Sequence, residues 1–345
     1  MRKLINRSLK SLLALVPTGV YKRLFPQELT AFFYHAVSDE SLPHVQHLYP
    51  PVSLERFENA LLYLKQHFNP VTYTEVHDHV FSGTPLPARA VHLSFDDGFG
   101  ECFTLVRPLL IKHGISCTFF VASDWIENQV MFFRNKVSVC IESLRNLTDT
   151  EQKRALASLS AELKIALKTS RDFDRWIKSL LHADEASIDK VCQILEIDIS
   201  AYLQEKKVFL TTDQLRTMAA EGFTIGSHSR SHSKMSQISA EDMEAEIVES
   251  AKAIQKITGD ELVSFSFPFS ATGVDRDVLA DIRRRNPILG LFFDTRGLRK
   301  DEPFIINRIW GEKPNFSELG RETNIPQLLK AAYRDLALIK LGKLT

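Results

Sequence analysis

The sequence predicts an α/β protein interrupted by a helical insertion. Two short apolar runs, 91–95 and 117–121, flank a helical stretch at 103–113 and make a β-α-β unit. Strand signals then vanish from 127 to 205, where leucine, lysine, glutamate and alanine dominate, and return from Phe223 onward. The expected organisation is a basic amphipathic segment over 1–30, strand–helix alternation over 31–126, the insertion over 127–205, resumed alternation over 206–325 and a closing helix over 326–345.

From Met1 to Arg23 the chain carries Arg2, Lys3, Arg7, Lys10, Lys22 and Arg23, with no acid before Glu28. Leu4, Ile5, Leu9, Leu12, Leu13 and Val16 form one helical stripe that stops at Pro17. The uncharged run 11–21 is far shorter than the ~20 residues that span a bilayer. Lys10 interrupts the apolar region of a secretory signal, and no small-x-small cleavage site follows. Two readings stay open: a basic helix resting on an anionic membrane face, or a helix packed against the body of the protein. The expected location is cytoplasmic, peripheral to the inner membrane.

An aromatic strand at 32–37 leads to a helix over 53–68 whose apolar face is Leu54, Phe57, Leu61, Leu62 and Leu64. After the insertion, a strand at 223–225 precedes a helix with Ser239 as N-cap and Asp242 in its first turn. Met243, Ile247, Ala251 and Ile254 form its apolar stripe, and Gly259 stops it. Strands follow at 263–267, 289–293 and 304–309, then an amphipathic helix over 327–341. With 44% hydrophobic and 25% charged residues, a net charge of +0 and a pI near 7.2, nothing marks a basic nucleic-acid binder. Cys102, Cys117, Cys140 and Cys192 show no close pair in sequence and no zinc-knuckle spacing, so buried thiols in a reducing compartment are expected.

The chemistry concentrates in two places. Ser94-Phe95-Asp96-Asp97-Gly98 ends an apolar strand with two adjacent carboxylates and a glycine; His228-Ser229-Arg230-Ser231-His232 follows another strand. One carboxylate with two imidazoles suits Zn²⁺ or a neighbouring divalent metal and leaves a coordination position open. A second acid beside the first ligand can take a proton from water on that metal. Each half alone also reads as ordinary surface, a solvated turn or a pair of capping histidines.

Together these segments resemble the first two motifs of the polysaccharide deacetylases, carbohydrate esterase family four, over about 32–310. The resemblance implies a distorted (β/α) barrel of the polysaccharide deacetylase type, interrupted by the helical subdomain, with its site at the C-terminal strand ends. It implies removal of an acetyl group from an N- or O-acetylated sugar. Carried over by position, Asp97, His228 and His232 match the metal ligands and Asp96 matches the catalytic base. The third motif departs from the family's Arg-x-Pro-Tyr-Gly: here it is Ser266-Phe267-Pro268-Phe269-Ser270. Pro268 keeps a fixed backbone turn, and the backbone N–H of Phe269 inherits the oxyanion role, with a buried aromatic strand end as the competing reading of its side chain. Arg308, in a late strand, is the candidate to supply the missing charge to Asp96.

The family's late leucine-x-histidine motif is absent, since no histidine follows His232. Phe32-Phe33-Tyr34-His35-Ala36-Val37 resembles instead the opening Tyr-His segment of relatives acting on poly-N-acetylglucosamine, so His35 is the candidate acid. His44 and His47, on the loop after this strand, read as ordinary loop histidines, with substrate contact as the alternative, and Asp294 as a strand-end acid that either supports the site from behind or has no matched role. The implied function is a metal-dependent hydrolase of an N-acetylated sugar in a bacterial surface-polysaccharide or glycolipid pathway, with a divalent metal, Zn²⁺ first, as cofactor. Its expected partners are the glycan and a membrane face touched by the N-terminal segment, with no nucleic acid. Deformylation or hydrolysis of another non-peptide amide on the same metal site, or a degenerate barrel that binds glycan without turning it over, are the competing functions.

Overall fold

A computed structural model describes residues 12–312 and 324–343; within them the chain is an α/β barrel with helices outside it. Helix α1 (Thr18–Leu24) precedes strand β1 (Leu29–Tyr34), and α2 (Leu54–His67) leads to β2 (Asn69–Pro70). Helix α3 (Tyr73–Ser82), β3 (Ala90–Phe95), α4 (Arg107–His113) and β4 (Thr118–Val121) follow. Five helices then run without a strand: α5 (Phe133–Arg145), α6 (Asp149–Leu163), α7 (Ser170–Ser179), α8 (Glu185–Ile194) and α9 (Ile199–Lys206). The alternation resumes with α10 (Thr212–Ala220), β5 (Thr224–Ser227), α11 (Ala240–Thr258), β6 (Val263–Ser266), α12 (Arg276–Arg285) and β7 (Leu289–Asp294). Strands β8 (Ile305–Asn307) and β9 (Ile309–Trp310) and helix α13 (Ile325–Lys340) complete it.

The strands run parallel in the order β8-β7-β6-β5-β4-β3-β1-β9, with β2 added on β3. Strands β3, β4, β6 and β7 are buried at every residue, the polar His92, Ser94, Ser264 and Ser266 included. The expected strand at 304–309 is interrupted. Residues 305–307 pair with β7 at one end of the order, and Ile309 and Trp310 pair with β1 at the other. Only Arg308 separates them, so one segment touches both edges and nearly closes the barrel. The barrel expected from the family resemblance is therefore present. The expected helix at 103–113 is split into a π-type turn, Cys102–Val106, and α4, with Pro108 in the first turn of the latter. Ser239 caps α11 by accepting from the Asp242 N–H, and Gly259 ends it with φ +80°.

Helices α5 to α8 enclose a core of their own, in which Val137, Ile141, Leu159, Phe173 and Ile177 are buried. Phe99, Trp125, Val139, Leu203 and Phe209 form a second apolar layer between that core and the barrel. The four cysteines are free and buried, as expected. Cys140 and Cys192, far apart in sequence, lie with Sγ atoms 3.5 Å apart because α5 packs on α8. Residues 1–11, with Arg2, Lys3, Arg7 and Lys10, lie outside the described residues. Helix α1 packs on α13, where Tyr21 stacks on Tyr333 with ring centroids 6.3 Å apart. Among the described residues no helix is long and apolar enough to cross a membrane.

Candidate active site

In a parallel barrel, side chains at the C-terminal strand ends converge on one face. His35 follows β1, Asp96 and Asp97 follow β3, His228 follows β5 and Pro268-Phe269 follows β6. All but Pro268 line one cleft of about 760 Å³, together with Tyr49, Phe132 and Trp310.

Asp97, His228 and His232 come together. Each offers one ligand atom within 4.8 Å of the others, and Asp97 Oδ1 lies 3.4 Å from His228 Nε2 and 3.3 Å from His232 Nε2. Tetrahedral donors at ~2.0–2.1 Å from a cation are separated by about 3.3 Å, so this spacing fits a shared ion. Asp97 Oδ1 is buried with no hydrogen-bond partner, an orphaned acceptor that a cation would satisfy. His228 donates from Nδ1 to the Ser266 carbonyl at 2.9 Å, which fixes the tautomer with the Nε2 lone pair facing Asp97. Burial lowers the His232 pKa below its ordinary value and favours the neutral ring a ligand requires. Burial raises the Asp97 pKa, but the adjacent His228 and His232 rings outweigh it and hold the carboxyl well below the usual range.

The backbone here is strained. Asp97, Ser229, His232 and Phe269 all take left-handed conformations, with φ of +73°, +61°, +64° and +61°. Gly98 follows at +70°, where an added Cβ would meet Val121 Cγ1 at 2.7 Å. Glu246, buried on α11, holds the turn between the two histidines. It accepts from the Arg230 and Ser231 N–H groups at 3.0 and 2.9 Å and from the Ser231 hydroxyl at 2.8 Å. Rings of Trp125, Phe132 and Phe269 surround His232 with centroids 5.1, 4.6 and 5.0 Å away.

Asp96 is paired with Arg308. The guanidinium donates from Nη1 to Oδ1 at 2.7 Å and from Nη2 to Oδ2 at 2.8 Å, and both residues are almost fully buried. The same nitrogens reach the Ser94 and Ser266 hydroxyls at 2.9 and 2.7 Å, and Ser266 in turn donates to Asp96 at 3.3 Å. Burial pushes the Asp96 pKa up, Arg308 overcomes it, and the net shift is downward.

His35 is held by Glu312, which accepts from its backbone N–H at 3.0 Å and pairs with its Nδ1; Trp310 Nε1 donates to the same carboxylate at 3.1 Å. Burial alone would depress the His35 pKa, but the Glu312 carboxylate raises it to about 9. With Nδ1 engaged, Nε2 is the ring atom left to exchange a proton. The Tyr49 ring lies tilted against this one with centroids 5.1 Å apart, and its hydroxyl donates to Asp97 Oδ2 at 3.4 Å.

The remaining candidates separate. The Phe269 side chain is 46% exposed and lines the cleft, which removes the buried-aromatic reading. His44 is buried beside Tyr202 and its pKa is lowered to about 4, so it is a packing residue. His47 lines the cleft and pairs with Glu142 at 2.8 Å. Asp294 is buried and accepts from the Ala271 and Thr295 N–H groups, bracing the turn after Phe269. Sequence reasoning missed Glu312, Tyr49 and Glu246. Glu246 left a signal: it is a charge on the apolar stripe of Met243 and Ile247. Glu312 left a fainter one, an acid two residues past the last strand.

No curated protein matches the chain in sequence. Among solved structures it is similar to the deacetylase PplD of Streptococcus pyogenes, solved in complex with acetate, at 14% identity and a TM-score of 0.54 over 83% of this chain and 92% of that one. IcaB from Ammonifex degensii gives 16% and 0.54 over 89% and 97%. A de-N-acetylase from Aggregatibacter actinomycetemcomitans gives 17% and 0.50 over 84% and 98%. At such identities the likeness is one of fold. Residues 83–171 and 173–286 match the family model described as polysaccharide deacetylase, more than half of the chain. The chain belongs to the polysaccharide deacetylase family, hydrolases of carbon–nitrogen bonds other than peptide bonds.

Proposed function

We propose that this protein is a metal-dependent hydrolase that removes the acetyl group from an N-acetylated sugar in a bacterial surface-polysaccharide or glycolipid pathway. The observation that carries the reading is the meeting, in one cleft, of the Asp97–His228–His232 cluster with an Asp96 kept ionised by Arg308 and a His35 kept protonated by Glu312. One carboxylate held ionised and one histidine held protonated suit amide hydrolysis, which needs a base early and an acid late. In this reading Asp97, His228 and His232 hold a divalent cation, Zn²⁺ first. When bound, it would supply Lewis acidity toward water and the acetyl oxygen.

The other steps belong to the chain's own residues. Asp96 accepts a proton from the attacking water, and Arg308 orients its carboxylate toward that task. The backbone N–H of Phe269, placed by Pro268, donates to the developing oxyanion. His35 delivers its Nε2 proton to the departing nitrogen. The C–N bond breaks, water's oxygen stays on the acetyl carbon, and the products are acetate and the free amine. The insertion over 127–205 forms one wall of the cleft through Phe132, Arg134, Asn135 and Lys178. The proposed location is cytoplasmic and peripheral to the inner membrane.

The test is metal analysis of the purified protein together with acetate release from a panel of N-acetylated sugars. Wild type should hold one divalent ion per chain, His228→Ala should lose it, and Asp96→Asn should keep it while acetate release collapses. Metal retained by His228→Ala would sink the ligand assignment. Formate release in place of acetate would turn the reading to a deformylase, and glycan affinity with neither product would leave a binding barrel.

A further inference from the structure

Resting on that reading, we propose that the cleft takes an amphipathic substrate: an N-acetylated sugar joined through a phosphate ester to an apolar chain. The cleft that contains Asp96 and Asp97 extends along α13, where Leu328, Ala331, Ala332, Leu336 and Ile339 line it. A polysaccharide carries hydroxyls on every sugar and loses free energy when they face a wall without hydrogen-bond partners. A hydrocarbon chain gains there. The one acid on that wall, Asp335, lies 3.7 Å from Arg334.

The loop after β7 adds Arg296 and Arg299 to the same cleft, and the insertion adds Arg134 and Lys178 from the other side. Arg296 is a charge beyond what the fold needs. Its acidic neighbour Asp301 already receives a bidentate pair from Arg276, at 2.8 Å for both bonds, while Arg296 stands 3.5 Å away. The Nε of Arg296 is buried without a partner. Guanidinium groups beside an apolar wall match a phosphate that carries a hydrocarbon tail.

Helix α1 lies on α13, the helix that lines the cleft. Val20 and Leu24 are 44% and 64% exposed there, and Lys22 and Arg23 occupy the last turn of α1. Exposed apolar residues mixed with cations are the makeup of an interfacial helix. This places a bilayer surface next to the apolar wall, where a tailed substrate would be drawn from the membrane.

The experiment compares acetate release by the full chain from three series of N-acetylhexosamine donors: an uncharged oligomer, the sugar 1-phosphate, and the 1-phosphate esterified to a farnesyl chain. The expected kcat/KM is highest for the farnesyl donor, by about tenfold or more over the oligomer. Arg296→Ala should lower both phosphorylated donors more than the oligomer, and Ala332→Asp should lower the farnesyl donor most. An oligomer turned over as well as the farnesyl donor, or variants that lower all three by one factor, would overturn the amphipathic substrate and leave sugar deacetylation standing. Acetate from none of the three would refute the deacetylase reading itself, and this inference with it.

Discussion

Replacing Arg308 by methionine tests how the charge on Asp96 is maintained. Methionine keeps only the apolar stem and removes the cation, so the Asp96 carboxylate, 2% exposed, is left with the Ser266 hydroxyl and without the charge in direct contact with it. An uncompensated buried carboxylate escapes its desolvation by taking up a proton. In the unfolded chain the same aspartate titrates near its ordinary value, so at pH 7 folding must bind a proton against about 3 pH units, costing about 4 kcal/mol. At pH 5 the same step costs about 1.5 kcal/mol. In wild type the folded pKa is depressed, so the stabilisation from the Asp96–Arg308 pair is present above the unfolded value and lost only as pH falls through the folded one. The variant's deficit relative to wild type should therefore grow with pH at about 1.4 kcal/mol per unit between pH 5 and 7. Urea unfolding of chelator-treated protein at several pH values measures it. A deficit that stays constant across this range would refute the claim that Arg308 keeps Asp96 ionised. Turnover at neutral pH should fall with the deficit, while metal content holds, because Asp97, His228 and His232 do not touch Arg308.

Glu312→Gln should lower the His35 pKa from about 9 toward its ordinary value, moving the basic limb of the acetate-release profile down by about two pH units. The pair's stabilisation, complete below the unfolded histidine value, fades as pH rises through about 9 in wild type and should be missing from the variant's stability curve. Glu246→Ala removes the acceptor that holds the Arg230–Ser231 backbone between His228 and His232, so on the proposed ligand assignment metal affinity in a chelator competition should drop by about 10- to 100-fold. Phe173→Ala in the insertion should cost about 3–5 kcal/mol of local stability, because its ring is fully buried in a core separate from the barrel. Hydrogen exchange should then show opening of α5 to α8 before the strands of the barrel.

How much of this was legible in the sequence depends on whether the signal was local. Asp96 and Asp97 follow an apolar strand run directly, and His228 and His232 share one turn, so short patterns expose them. The barrel itself followed from the motif resemblance, and the helical character of 127–205 from the loss of strand runs. The split of the last strand at Arg308 was not legible, since nothing in Ile306-Asn307-Arg308-Ile309 marks a change of pairing partner. Glu312 and Tyr49 acquire meaning only when β9 pairs with β1, which brings the segment after β9 to His35. The Cys140–Cys192 approach was hidden for the same reason, being a product of how α5 meets α8.

The third-motif departure has a steric and electrostatic logic. The family's arginine position is Ser266 here, at the end of β6, and the guanidinium arrives instead from Arg308 between β8 and β9. Asp96 has two oxygens, and Arg308 engages both, while its planar group lies 4.6, 5.2 and 5.8 Å from the Phe33, Phe120 and Phe293 rings. A second arginine at 266 would bring two cations to one carboxylate inside this aromatic shell, with one charge unpaired in low dielectric. Serine avoids that, and it accepts from Arg308 while donating to Asp96, so its one hydroxyl joins the pair on both sides. Because Arg308 also closes the barrel, the orientation of Asp96 is tied to strand closure. Ser266→Arg should therefore destabilise the fold in the presence of Arg308 and be tolerated better in Arg308→Met, a double-mutant coupling of opposite sign to simple loss of contacts. Additive effects of the two substitutions would show that either position can serve Asp96 without regard to the other.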